Sequence, residues 1–167
     1  MSIGRRSRRL IVAIFLYIAA CTIGGIYLAD GTLHPARRTL TQEEISAFEH
    51  DFFALNAKVE DVSIHTADSV VLRAWIVRPE HPNGNAVMLL HGLGDNRLGM
   101  VGYARLLLSH GFVVLLPDAR AHGASGGAIA TYGLLERNDI RQWTDFLYRE
   151  TRPHCVYGLG ESMGAAE

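Results

Sequence analysis

The stretch Val156-Tyr157-Gly158-Leu159-Gly160-Glu161-Ser162-Met163-Gly164-Ala165-Ala166 decides how the rest of the chain is read. A short apolar run enters Gly160-x-Ser162-x-Gly164, and small residues follow. This pattern lifts a serine out of a fold. A strand ends, the chain turns sharply and a helix begins, with the serine held at the apex in a strained backbone conformation. Glycines two positions to either side leave room for the neighbouring strand and helix. The amide of Met163, at the expected helix start, then points toward an oxyanion forming on a carbonyl attacked by Ser162. Taken alone, the same residues also fit a glycine-rich turn carrying an ordinary serine.

Two upstream stretches decide between these readings. Ala86-Val87-Met88-Leu89-Leu90 is an apolar run that ends in His91-Gly92-Leu93-Gly94. Val113-Val114-Leu115-Leu116 is another, ending in Pro117-Asp118-Ala119-Arg120-Ala121-His122-Gly123-Ala124-Ser125-Gly126. Three strand candidates thus each run into a glycine-rich loop, with helical patterns between them. On these residues the chain resembles the α/β-hydrolase superfamily, and looks most like its serine-peptidase, lipase and esterase branches. The resemblance spans roughly Val59 to Glu167.

The resemblance implies an oxyanion loop, a D-x-R-x-H-G-x-S loop and a nucleophile elbow, in that order. It implies Ser162 as nucleophile and the backbone amides of Leu93 and Met163 as oxyanion donors. His91, Gly92, Gly94, Asp118, Arg120, His122, Gly160 and Gly164 would shape the site. Glu161 falls at a variable position and is expected to face solvent or substrate. Ala121 departs from the pattern, which usually has glycine there.

A serine hydroxyl is a weak nucleophile and needs a base, commonly a histidine oriented by a carboxylate. Family order puts both partners after the serine, whereas five residues follow Ser162. His122 and His91 are the rival bases within this chain, and the resemblance assigns both to loop shaping instead. The expectation is the N-terminal part of a longer serine hydrolase acting on an ester, thioester or amide through an acyl-enzyme. Alone, this stretch is expected to be inactive. The alternatives are a truncated, non-catalytic membrane-anchored fragment and a tethered interaction module.

Net charge of −1 gives no electrostatic case for nucleic acid. The eight histidines show no H-E-x-x-H spacing and the two cysteines no C-x-x-C, so neither metal nor cofactor is expected. Cys21 and Cys155 offer no disulfide framework and read as inert thiols. The expected partner is a small-molecule, lipid or peptide acyl substrate.

Arg5-Arg6-Ser7-Arg8-Arg9 precedes an uncharged run from Leu10 to Ala29, long enough for a helix to cross a bilayer. The arginines place residues 1–9 in the cytoplasm as a basic tail and send the remainder outward. Residues 10–29 are read as an uncleaved single-pass signal-anchor in the cell membrane. A cleaved signal peptide, lipidation at Cys21 and a twin-arginine signal stay open beside it. Residues 30–57 read as a linker followed by an amphipathic helix. Thr41 and Glu44 form a capping box, and Ile45, Phe48, Phe52 and Leu55 share a face. That face packs on the hydrolase portion or lies on the membrane.

Residues 58–167 read as α/β, the N-terminal portion of an α/β-hydrolase fold. Val62, Ile64 and Thr66 alternate before a turn at Asp68-Ser69, and Val70–Val77 returns as the second strand of a β-hairpin. Helices follow over Tyr103–His110, ended by Gly111, and over Leu134–Glu150 with Ile140, Trp143 and Leu147 on one face. Strands alternating with helices argue for a parallel sheet with crossover helices.

Overall fold

The computed structural model describes residues 4–167. They form two compact units, one running through His34 and the other covering Pro35–Glu167. The first unit is a single helix, α1 (Arg5–Leu33), with no buried residue. Its most apolar 18-residue window has a mean hydropathy of 2.3, so α1 is long and apolar enough to cross a membrane. The helix is longer than the apolar run over 10–29 that announces it. Hydropathy marks the part suited to lipid, but helical hydrogen bonding continues into the arginines and through Asp30–Leu33. No proline interrupts it before Pro35.

In the second unit, Thr41 caps α2 (Gln42–Phe53). Its hydroxyl accepts from the Glu44 amide while the Glu44 carboxylate accepts from the Thr41 amide. Phe48 and Phe52 are buried, and Phe48 stacks on Trp75 with ring centroids 4.1 Å apart. Packing on the sheet, not a lipid surface, therefore takes this face of α2. The hairpin follows as β1 (Lys58–His65) and β2 (Val71–Arg78), paired antiparallel from Lys58↔Arg78 to His65↔Val71. Then come β3 (Ala86–Leu90), a 3₁₀ turn over Arg97–Met100, α3 (Val101–Ser109), β4 (Val113–Pro117), α4 (Glu136–Thr151) and β5 (Val156–Gly160). A 3₁₀ turn over Ser162–Ala165 follows β5.

The sheet order is β1-β2-β4-β3-β5. β3 runs parallel to both β4 and β5, and β2 joins β4 antiparallel. This is the mixed α/β arrangement the sequence pattern implies, a hairpin opening onto parallel strands. Alternation along β4 feeds two cores, because successive side chains of a strand leave opposite faces. Val114 and Leu116 join Phe48, Phe52, Trp75, Met100 and Leu108. Val113 and Leu115 join Leu72, Ile76, Trp143, Phe146 and Leu147. Fully burying such a side chain is worth about 1.5–3 kcal/mol. The loops after β3 and β4 are thus carried on strands paired along both edges, and the loop after β5 on a strand paired with β3.

Candidate active site

β5 delivers the chain to Ser162, which is exposed and has φ of 53°. An L residue pays strain in that left-handed region, and strain of this kind persists only where its surroundings impose it. Two glycines impose it here. A Cβ on Gly160 would fall on the carbonyl of Gly164, and a Cβ on Gly164 would fall on the carbonyl of Leu90. The Glu161 amide donates to Leu90 O at 2.9 Å, so the β3–β5 ladder runs up to the turn itself. Beyond Ser162 the expected α-helix is a 3₁₀ turn instead. Gly164 N donates to Glu161 O (3.0 Å) and Ala166 N to Met163 O (2.8 Å), each three residues back. Glu161 is exposed, as its variable position implied.

The loop after β3 comes alongside. The Cβ position of Gly92 lies 3.5 Å from Ser162 Cβ. Among the described residues, the backbone amides of Leu93 and Met163 donate to no acceptor. Their neighbours are committed: Gly94 N donates to His122 Nε2 (3.1 Å) and Asp95 N to Gly92 O (3.3 Å). Gly94 has φ of 71°, a conformation that glycine adopts without penalty.

Both histidines are buried, and both rings are fully used. His91 Nε2 accepts from the Ala119 amide (3.0 Å), which leaves Nδ1 to donate to Gly92 O (2.8 Å). His122 Nε2 accepts from Gly94 N, so its Nδ1 donates to Arg120 O (2.9 Å). These partners fix a neutral tautomer for each ring. Burial pushes the His91 imidazole below its ordinary pKa. Neither ring can take a proton from Ser162 without abandoning a backbone amide. They are cross-braces between the loops after β3 and β4.

Asp118, at the end of β4, accepts from Arg97 N (2.7 Å), Arg97 Nη2 (2.8 Å) and Ala124 N (2.7 Å). Arg97 is only 1 % exposed and lies 4.9 Å over the Trp75 ring. Sequence reading missed this arginine, because its position just after a glycine-rich loop does not announce burial. Arg120 grips Asp139 with two hydrogen bonds (2.7 and 2.8 Å) and reaches Asp68 with a third (3.0 Å). The loop after β4 is thereby tied to α4 and to the β1–β2 turn. Hydrogen bonds to Asp139 raise the Arg120 guanidinium above its ordinary pKa, while burial pushes the Asp139 carboxyl up.

A second acidic group lies beside the elbow. Burial, reinforced by Glu136 and Asp139, pushes Glu167 up to about 8. Burial also works to raise Glu136, but hydrogen bonds from Thr131 and Gly133 overcome it and hold this carboxyl below its ordinary value. Among the described residues no group of three His, Cys, Asp or Glu side chains could hold a metal ion. Cys21 and Cys155 are both exposed and unpaired.

The chain is similar to known proteins. A family model described as serine aminopeptidase, S33, matches residues 81–167. The chain is 30% identical over 165 residues to the uncharacterized protein YqkD of Bacillus subtilis, covering 95% of this chain and 53% of that protein. The esterase Pf2001 of Pyrococcus furiosus superimposes with a TM-score of 0.67 at 29% identity, over 80% of this chain and 50% of the esterase. XC6422 of Xanthomonas campestris, an α/β serine hydrolase without a lid, gives a TM-score of 0.57 at 19% identity, over 65% and 52%. That last likeness concerns the fold alone. The chain spans about half the length of these relatives. Three loops on one sheet, the elbow geometry at Ser162 and the match over residues 81–167 place the chain in the serine aminopeptidase S33 family of α/β-hydrolases.

Proposed function

We propose that this chain is the N-terminal part of a serine hydrolase that attacks an ester, thioester or amide carbonyl with Ser162. One observation carries the reading. Ser162 is exposed at φ 53°, beside Gly92, with the amides of Leu93 and Met163 uncommitted. In the reaction, Ser162 Oγ bonds to the carbonyl carbon, and the carbonyl oxygen becomes an anion between those two amides. The leaving group departs with a proton, and water then cleaves the acyl-enzyme. His91 and His122 are spent on backbone hydrogen bonds. By resemblance to the family, the base would be a histidine that follows the serine. Substrates are small-molecule, lipid or peptide acyl compounds.

A fluorophosphonate probe tests the nucleophile. It should label the full-length protein at Ser162, and Ser162→Ala should abolish labelling. Labelling that survives the substitution moves the nucleophile elsewhere.

α1 would anchor this domain in the cell membrane. Arginines 5, 6, 8 and 9 outweigh Arg37 and Arg38 on the other side of the apolar run. That bias keeps the N-terminus cytoplasmic and the hydrolase portion outside. A reporter active only outside the cytoplasm, fused after Leu55, should be active. A silent reporter, with a cytoplasmic one active at the same site, reverses the orientation.

A further inference from the structure

Pro35–Leu40 has no regular structure, yet its two arginines are tied into the loops that frame Ser162. Arg37 donates from Nη1 to Ser125 O (2.5 Å) and from Nη2 to Gly127 O (3.0 Å). Arg38 donates from Nη1 to Asp95 (2.7 Å) and from Nη2 to Glu44 (3.0 Å). The Arg38 carbonyl accepts from Asn96 Nδ2 (3.1 Å), and Asn96 is fully buried. Asn96 Oδ1 in turn accepts from Leu98 N (3.0 Å), fixing the start of the 3₁₀ turn.

We propose that Arg37 and Arg38 are positioning residues that hold the oxyanion loop in register with Ser162. The two arginines act at different points. Arg38 clamps the C-terminal end of the oxyanion loop, Asp95-Asn96, two and three residues past Leu93. Arg37 clamps the loop bearing His122, whose Nε2 receives the Gly94 amide. The Ser125 segment is itself fixed from below, because Ser125 Oγ donates to Asp118 O (2.7 Å) and accepts from Arg73 N (2.9 Å). Arg37 thus transfers a rigid reference to the strap, and Arg38 hands it to the oxyanion loop. Glu44 binds Arg38 while it caps α2, so the strap is registered against that helix too. Guanidinium forks suit this task because they satisfy two acceptors in one plane, whereas an ammonium offers a point charge.

The positioning role rests on the proposed reaction at Ser162, but its test does not need turnover. Amide hydrogen exchange is compared between the native chain and Arg37→Ala/Arg38→Ala in detergent micelles. Exchange at Gly94 and Leu98 should accelerate about tenfold or more, while Leu115 in β4 keeps its native rate. Arg38→Lys keeps the charge but loses the planar two-acceptor fork, and should recover part of the protection. Unchanged rates at Gly94 and Leu98 overturn the proposal. Equal acceleration at Leu115 overturns it as well, since that marks general loosening. Failure of the probe to label Ser162 would sink the proposed reaction while leaving the exchange result readable.

Discussion

β4 and β5 are both five residues long, and each ends in a loop of the candidate site, yet their surroundings differ. Every residue of β4 is buried, since β2 and β3 pair with its edges and both cores meet its faces. Among the described residues β5 pairs with β3, and Tyr157, its second residue, is 50% exposed. The β4 side carries the frame, in which His91 and His122 bond to backbone groups and Asp118 holds the buried Arg97. The β5 side carries Ser162 and its strain. Rigidity and reactivity are thus divided between two strands separated by β3. An apolar run announces a strand, but neighbours decide how deeply it is buried.

The sharpest way to break this comparison is to remove Asp118. Arg97 would be left as a buried guanidinium with no carboxylate, and Ala124 N would lose its acceptor. Breaking a buried pair by deleting one partner costs about 3–5 kcal/mol. Asp118→Ala should lower unfolding stability by that amount, read by urea titration in micelles with Trp75 and Trp143 as reporters. A loss below about 1 kcal/mol would mean that the frame does not depend on this pair.

A pH titration separates the two sides by sign. On the frame side, the folded His91 pKa is depressed by burial. Below its unfolded pKa the unfolded chain gains a proton that the folded chain refuses. Stability therefore falls as pH drops below about 6.5. On the elbow side, Glu167 is raised by burial to about 8. Here the folded chain keeps a proton that the unfolded chain has released, so stability falls as pH rises from about 4.5 toward 8 and levels above that. His91→Gln should remove the acid-side slope, and Glu167→Gln should flatten the slope on the alkaline side. A Glu167→Gln chain that keeps the native alkaline slope would place its origin elsewhere.

What the sequence disclosed follows the same division. The turn at Ser162 was readable because its requirements are local. Close approach at Gly160 and Gly164 leaves room only for glycine, and glycine is visible as a letter. The strand–loop–helix order was readable from periodicity. The frame was readable only by resemblance, because a motif names His91 and His122 but not which atom each nitrogen meets. Arg97 pairs across 21 positions, Arg38 across 57 and Arg37 across 88 and 90. No local pattern encodes such partners. Ala121 shows a conformation outlasting its usual residue. It keeps φ of 60° where the family pattern has glycine, at a cost of about 1–2 kcal/mol that its loop must absorb. α1 extends beyond the apolar run over 10–29 because hydropathy reports lipid compatibility, while helix ends follow hydrogen bonding.

The smallest expected effect lies on β5. Tyr157 is half exposed, and its packing partner is Phe112, edge-on at 6.0 Å between ring centroids. Losing an aromatic pair of this kind costs about 0.5–1.5 kcal/mol beyond area burial, and the exposure of Tyr157 puts this one at the low end. Tyr157→Lys should therefore shift the unfolding free energy by less than about 1 kcal/mol. By contrast, Leu115→Ala in β4 removes a fully buried side chain and should cost about 2–5 kcal/mol. If Tyr157→Lys proved as costly as Leu115→Ala, β5 would be as tightly packed as β4, and the division between the buried frame and the strand that carries Ser162 would fail.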